Sequence, residues 1–145
     1  LSQLPPPFSS YGNNANADSG KTSKEFMLNL NKEYNLKLDD YVKHAKTELD
    51  EDRKKRDYND IISTHYDYIK KLEDIMDNNS VNKDYRDFAK IDRDNHLSVF
   101  KREISGNTGL SKGLYKANRE FIDLNKNNNF TLSKNTVNSM ESRSR

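Results

Sequence analysis

The stretch TSKEFMLNLNKEYNLKLDDYVKHAKTELDEDRKKRDYNDIISTHYDYIKKLEDIMDN, residues 22–78, decides the fold of this chain. Its first half carries apolar residues at Phe26, Leu30, Tyr34, Leu38, Tyr41 or Val42, Ala45 and Leu49, in steps of three or four. That spacing keeps one side of an α-helix apolar, because positions three and four apart share a face. Met27 and Leu28 widen the face near its start, and Leu36 stands off it. Thr22-Ser23-Lys24-Glu25 has the form of a capping box, in which the Thr hydroxyl accepts from the Glu25 amide and the Glu carboxylate returns the bond. The expectation is a long amphipathic helix, single or made of two helices end to end.

Residues 50–57 interrupt the stripe with eight residues of which none is apolar. Asp50 with Lys54, Glu51 with Lys55 and Asp52 with Arg56 stand four apart, acid first, the favourable order for helical ion pairs. This run reads as a solvated helical bridge. Beyond it the stripe resumes at Tyr58, Ile61, Ile62, His65 or Tyr66, Ile69, Leu72 or Glu73, and Met76. Ile62, Ile69 and Met76 keep a seven-residue repeat that is three residues out of phase with Leu38 and Ala45. The slip predicts local overwinding or a bend near 50–57. His65, beside Thr64, Tyr66 and Tyr68, reads as a hydrogen-bonded interface residue rather than a ligand or base.

The rest is organised around this stretch. Residues 77–80 end it with Asn-rich turn chemistry, and Ser80 stands as a candidate cap for a second helix over about 82–104. The middle of that helix, 92–96, holds nothing apolar. Gly106 marks a stop, and a third helix follows over about 111–124 with Leu114, Ala117, Phe121 and Leu124 at helical spacing. Residues 1–21, with Pro5 to Pro7 and a small polar run, form a flexible or partner-ordered arm. Leu1, Leu4, Phe8 and Tyr11 are its candidate anchors. Residues 125–145 form a polar, basic tail.

Composition narrows the class. Hydrophobic residues make up 32% of the 145 and charged residues 33%, against about 45–50% (Gly included) and about 25% in ordinary globular chains. Mean hydropathy is −1.14. The net charge of only +2 comes from interspersed Lys, Arg, Asp and Glu, with no one-sided basic patch. Nucleic acid is therefore not the expected partner; at most Arg143 and Arg145 of the tail touch phosphates without reading sequence. No Cys is present, which excludes disulfides and thiolate chemistry. No apolar run approaches a membrane span. The start lacks a signal-peptide pattern and an initiator Met, and reads as processed or trimmed.

Three stretches imitate chemical motifs. Residues 15–22, ANADSGKT, satisfy a loose phosphate-loop pattern, but Pro, Ser, Asn and Gly precede it where a strand is needed. Residues 92–96 open like a calcium loop. Residues 123–134 do so more fully and resemble the calcium-loop part of an EF-hand or dockerin-type site. There Asn128 stands in place of the turn Gly and Lys134 in place of the bidentate Glu, so no ligands are carried over. The three His, at 44, 65 and 96, have no catalytic motif around them.

The sequence thus predicts an all-α, elongated chain with an arm over 1–21, a helical region over 22–124 and a tail over 125–145. Neither catalysis nor a cofactor nor a metal is expected. The predicted function is a structural or adaptor subunit of a larger assembly, a virion or similar particle among the candidates. Protein partners would bury coiled-coil-like stripes through Phe26, Leu30, Tyr34, Leu38, Tyr41, Ala45, Leu49, Ile62, Tyr66, Ile69 and Met76, and the terminal arm. The alternative is a secreted or surface helical module binding a host protein, and after it a divalent-cation or nucleotide-binding protein.

Overall fold

The charged run at 50–57 does not bridge one helix; it starts a second. Asp50 has extended backbone, and its carboxylate accepts from the Arg53 amide at 3.1 Å. It is an N-cap, the position where Asp is among the most favoured residues. Glu51 and Asp52 follow in the first turn, where the helix dipole favours acids. The order acid-then-base is thus the mark of a helix N-terminus. The computed structural model describes residues 19–126 and 132–141, with side chains over 24–125 and 132–141. Among them are five helices and no strand: α1 (Ser19–Thr47), α2 (Glu51–Met76), α3 (Lys83–Ser105), α4 (Gly109–Lys126) and α5 (Lys134–Glu141).

The single long helix with a bend is therefore corrected to two helices that reverse direction across residues 48–50. Asn31 on α1 donates to the Tyr68 hydroxyl at 2.9 Å, and His44 Nδ1 lies 2.6 Å from Asp57 Oδ2. As α1 numbers rise, their α2 partners fall, so the two are antiparallel. The three-residue phase slip was the turn itself. α3 is antiparallel to α2 in the same way, pairing Arg93 with Glu73 and His96 with His65. α4 runs parallel to α2: Tyr66 donates to Asn118, and the Tyr58 ring lies so close to Gly113 that a Cβ there would come within 2.3 Å of it. That contact requires glycine where α2 and α4 cross. α1, α3 and α4 all pack along α2, which is the shared centre.

Two buried clusters fill the interior. One joins Leu38 and Ala45 of α1, Ile61, Ile62, Tyr66 and Ile69 of α2, Leu97, Phe100 and Ile104 of α3, and Leu114, Ala117 and Ile122 of α4, with Leu132 and Met140 closing it. The other joins Phe26, Met27, Leu30 and Tyr34 of α1 to Tyr68, Leu72 and Ile75 of α2, Val81 and Ala89. Burying each large side chain contributes about 1.5–3 kcal/mol. The low apolar content nonetheless closes an interior. Polar groups inside it are hydrogen-bonded, and no buried side-chain nitrogen or oxygen among the described residues lacks a partner. Thr64, His65, Asp57, Glu73, Arg93, Asn118 and Thr136 are all buried. Counting only apolar residues understates such a core.

Other boundaries shift for local reasons. α1 begins at Ser19, ahead of the capping box expected at Thr22. Asn82, not Ser80, caps α3, accepting from the Asp84 amide at 2.8 Å. Thr108 caps α4, accepting from the Ser111 amide at 3.0 Å. The stretch expected as a tail carries α5, with Thr136 and Met140 buried. Residues 1–18, including the candidate anchors of the arm, lie outside the described residues.

Candidate interaction surface

The sequence assigns docking to the stripes of α1 and α2, and the structure turns those stripes inward. Phe26, Leu30, Tyr34, Leu38, Ala45, Ile62, Tyr66 and Ile69 are buried within the chain, and Tyr41 and Met76 pack against the two clusters. Leu49, in the link between α1 and α2, is 91% exposed. One stripe on each of two antiparallel helices is what a hairpin needs to close on itself.

The middle of α3, which lacks apolar residues, places Arg93 in the interior against Glu73 of α2. Glu73 accepts from Thr136 Oγ1 at 2.6 Å, Ser133 Oγ at 2.7 Å, the Ser133 amide at 2.8 Å and Arg93 Nη1 at 2.8 Å. Burial pushes its carboxyl upward, but the bonds from Thr136, Ser133 and Arg93 outweigh that and hold it below the usual carboxylate range. The Ser133 hydroxyl also accepts from the Thr136 amide at 3.2 Å, capping α5. One carboxylate on α2 thus fixes both α3 and α5.

A second polar chain runs through two histidines. His65 Nε2 lies 3.2 Å from Glu103 Oε2, and His65 Nδ1 lies 2.9 Å from His96 Nε2. With His65 neutral, Nε2–H donates to Glu103 and Nδ1 accepts from His96 Nε2–H. The His65 ring stacks on Phe100 at 4.1 Å. Burial, with His65 beside it, lowers the His96 pKa to about 3. The neighbouring Tyr68 hydroxyl donates to Asp92 at 2.5 Å, and burial followed by that bond pushes its pKa well up. A carboxylate–imidazole pair of this kind orients a base, but here it delivers its proton position to another imidazole rather than to a nucleophile. His65 is hydrogen-bonded as expected, but to groups of its own chain in the interior rather than at an interface.

The motif-like stretches resolve where they are described. Residues 92–96 are inside α3, with Asp92 bonded to Tyr68 and Asp94 to Arg93, so they form no calcium loop. Of 123–134, residues 127–131 lie outside the described residues, as do 15–18 of the phosphate-loop pattern. Among the described residues no group of three or more His, Asp or Glu is placed to hold a metal ion. A shallow cavity of about 320 Å³ lies between the start of α2 and α4, lined by Glu51, Asp52, Lys55, Tyr58, Lys116 and Glu120. Its lining carries charges of both signs.

The outer face of α3 is different. Asp84, Phe88, Ile91, Asn95, Ser98 and Arg102 follow one another in steps of four, three, four, three and four. That is the line of a coiled-coil seam. Phe88 is 45% exposed and Ile91 60%, while Val99, beside Ser98, is 43% exposed. Ala89, Leu97, Phe100 and Ile104 make the same helix's inward line. α3 therefore carries an inner apolar line and, opposite it, a mostly polar line holding the exposed Phe88 and Ile91, and only the inner one has a partner among the described residues. Sequence reading passed over the outer line because the two interleave, which blurs a one-sided pattern. Of the other exposed apolar side chains, Leu28, Leu36 and Leu49 are scattered along α1 and the link after it, as is normal on any protein surface. No helix among the described residues is long and apolar enough to cross a membrane. No protein-family model, curated protein or solved structure matches this chain.

Proposed function

We propose that the chain is a non-enzymatic structural or adaptor subunit that docks on other protein through an amphipathic helix face. A virion or comparable multi-subunit particle is the kind of assembly in view. The observation that carries the reading is the outer line of α3, where Phe88, Ile91 and Val99 stay in water on a helix whose opposite face is already packed. Leaving apolar side chains in a seam-like row has a cost in free energy that a docked helix removes. The polar interior adds to this reading, since its histidines, tyrosines and carboxylates bond to one another.

A photo-crosslinking residue at position 91, in cells that make the protein, tests this. The expected result is a discrete protein adduct that is absent when the same residue replaces the exposed Asp39. No adduct, or the same adducts from both positions, refutes the proposal. The second reading, a secreted or surface module binding a host protein, is favoured by the closed two-cluster core, which suits a chain that folds without neighbours. Recovery of the position 91 adduct only with protein of a host organism would select it.

A further inference from the structure

The charges along the outer line of α3 are not arranged at random with respect to its direction. Asp84 opens the line and Arg102 closes it, with Asp87 and Lys101 flanking the same two ends. Asp84 and Arg102 are exposed, and Asp87 makes an exposed ion pair to Lys83, four residues away. Such surface pairs contribute little and exchange readily. We propose that a second copy of this chain docks here, α3 against α3 in antiparallel register about a two-fold axis between Ile91 and Asn95. The proposal rests on the docking reading above and names the partner of that same surface.

The register follows from the spacing. In an antiparallel seam, first-position residues of one helix meet fourth-position residues of the other. Laid against itself, the line puts Asp84 opposite Arg102 of the other copy, Phe88 opposite Ser98 with Val99 alongside, and Ile91 opposite Asn95. The flanking positions put Asp87 opposite Lys101. Two-fold symmetry repeats every contact, as an isologous interface requires. A parallel arrangement would instead set Asp84 against Asp84 and Arg102 against Arg102, which the charges disfavour. Two like-charge contacts remain near the axis, Asp94 and Asp92 each against its copy; Arg93 Nε lies 2.9 Å from the Asp94 carboxylate, and Asp92 is turned to the Tyr68 hydroxyl of its own chain. Ile91 sits where a seam gains most from burial, and Asn95 opposite it is the kind of polar residue that fixes register.

The interface is small. Residues 84–102 span about 27 Å of helix, so each copy buries roughly 300–400 Å², in the range of weak, transient contacts. Association is expected at about 10 µM to 1 mM rather than at nanomolar concentration.

Sedimentation equilibrium of the full chain, from 10 µM to 1 mM at low and high salt, tests the proposal. The expected result is a monomer–dimer equilibrium that weakens with salt, because exposed charges set its register. Ile91→Glu should weaken it at least tenfold, as should Asp84→Arg and Arg102→Asp singly. The double swap Asp84→Arg with Arg102→Asp should restore it to within about threefold of the original. Circular dichroism verifies that each variant keeps its helices, and the substituted side chains are all exposed. A chain that stays monomeric at 1 mM overturns the proposal, as does a dimer indifferent to Ile91→Glu. Single swaps that abolish pairing without rescue by the double swap also overturn the antiparallel register. A monomeric chain whose position 91 still crosslinks to a different protein overturns self-pairing and leaves the docking reading standing. A dimer with no adduct in cells does the reverse.

Discussion

The buried histidine pair makes a quantitative prediction about acid. His96 has a pKa near 3 in the folded chain, lowered by burial and by His65 beside it, against about 6.5 in an unfolded one. Between these values the unfolded chain binds a proton that the folded chain does not, so stability falls as pH falls from 6.5 toward 3. At pH 5 the unfolded imidazole is almost wholly protonated and the folded one almost wholly neutral. The loss relative to pH 7.5 is about 2 kcal/mol, an upper figure because His96 keeps some exposure to water. With a urea slope of about 2 kcal/mol/M, the unfolding midpoint drops by roughly 1 M. His96→Gln keeps a donor for His65 Nδ1 but has no proton to gain. Urea titrations of both proteins at pH 7.5 and pH 5 isolate the effect, since every other titrating group is common to the two. The midpoint of the original chain should fall by up to 1 M more than that of the variant. Equal losses in the two proteins would refute the placement of His96 in this polar chain.

His44 acts with the opposite sign. The hydrogen bond that His44 donates to Asp57, aided by that carboxylate's charge, raises the His44 pKa. The stability it gives is therefore complete below pH 6.5 and lost as pH rises through the raised value; His44→Gln should flatten that part of a stability–pH curve. Glu73→Ala leaves the buried Arg93 with only the exposed Asp94 as an ion-pair partner and should cost about 3–5 kcal/mol in denaturant melts, with faster amide exchange over 132–141 because Ser133 and Thr136 lose their anchor. Asp50→Ala removes the cap of α2 and should cost about 1 kcal/mol, a thermal midpoint shift of about 2–5 °C. Phe100→Ala, at a fully buried position against His65 and Tyr66, should cost about 3–5 kcal/mol in urea unfolding.

Particular residues show where the sequence was readable. The all-α class follows from apolar steps of three and four, and the stripe of α1 is buried at five of its expected positions, Phe26, Leu30, Tyr34, Leu38 and Ala45, with Met27 beside them. The break at Gly106 and the helix after it also stand. The turn at 48–50 was harder, because no Gly or Pro marks it. Its signal was Asp50 with Glu51 and Asp52, which serve equally as ion-pair partners in a continuing helix and as the capped start of a new one. Local propensity is nearly indifferent between these, and burial of both stripes against each other decides. The tail hid α5 for a similar reason. Eight residues are too few to hold a helix alone, and Glu73, some sixty residues earlier, supplies the bonds that dock it.

By itself the sequence determined helix, the inward line of each long helix, and the exclusion of thiol chemistry. Those depend on period and residue type, which are local. Only the tertiary structure decided that the stripes meet each other and that Thr64, His65, Glu73 and Arg93 belong inside. A polar side chain is buried or exposed according to whether a partner from another helix reaches it, and no local pattern records that. The same holds for the outer line of α3, whose residues stand out only once the inner line has been assigned to α2 and α4.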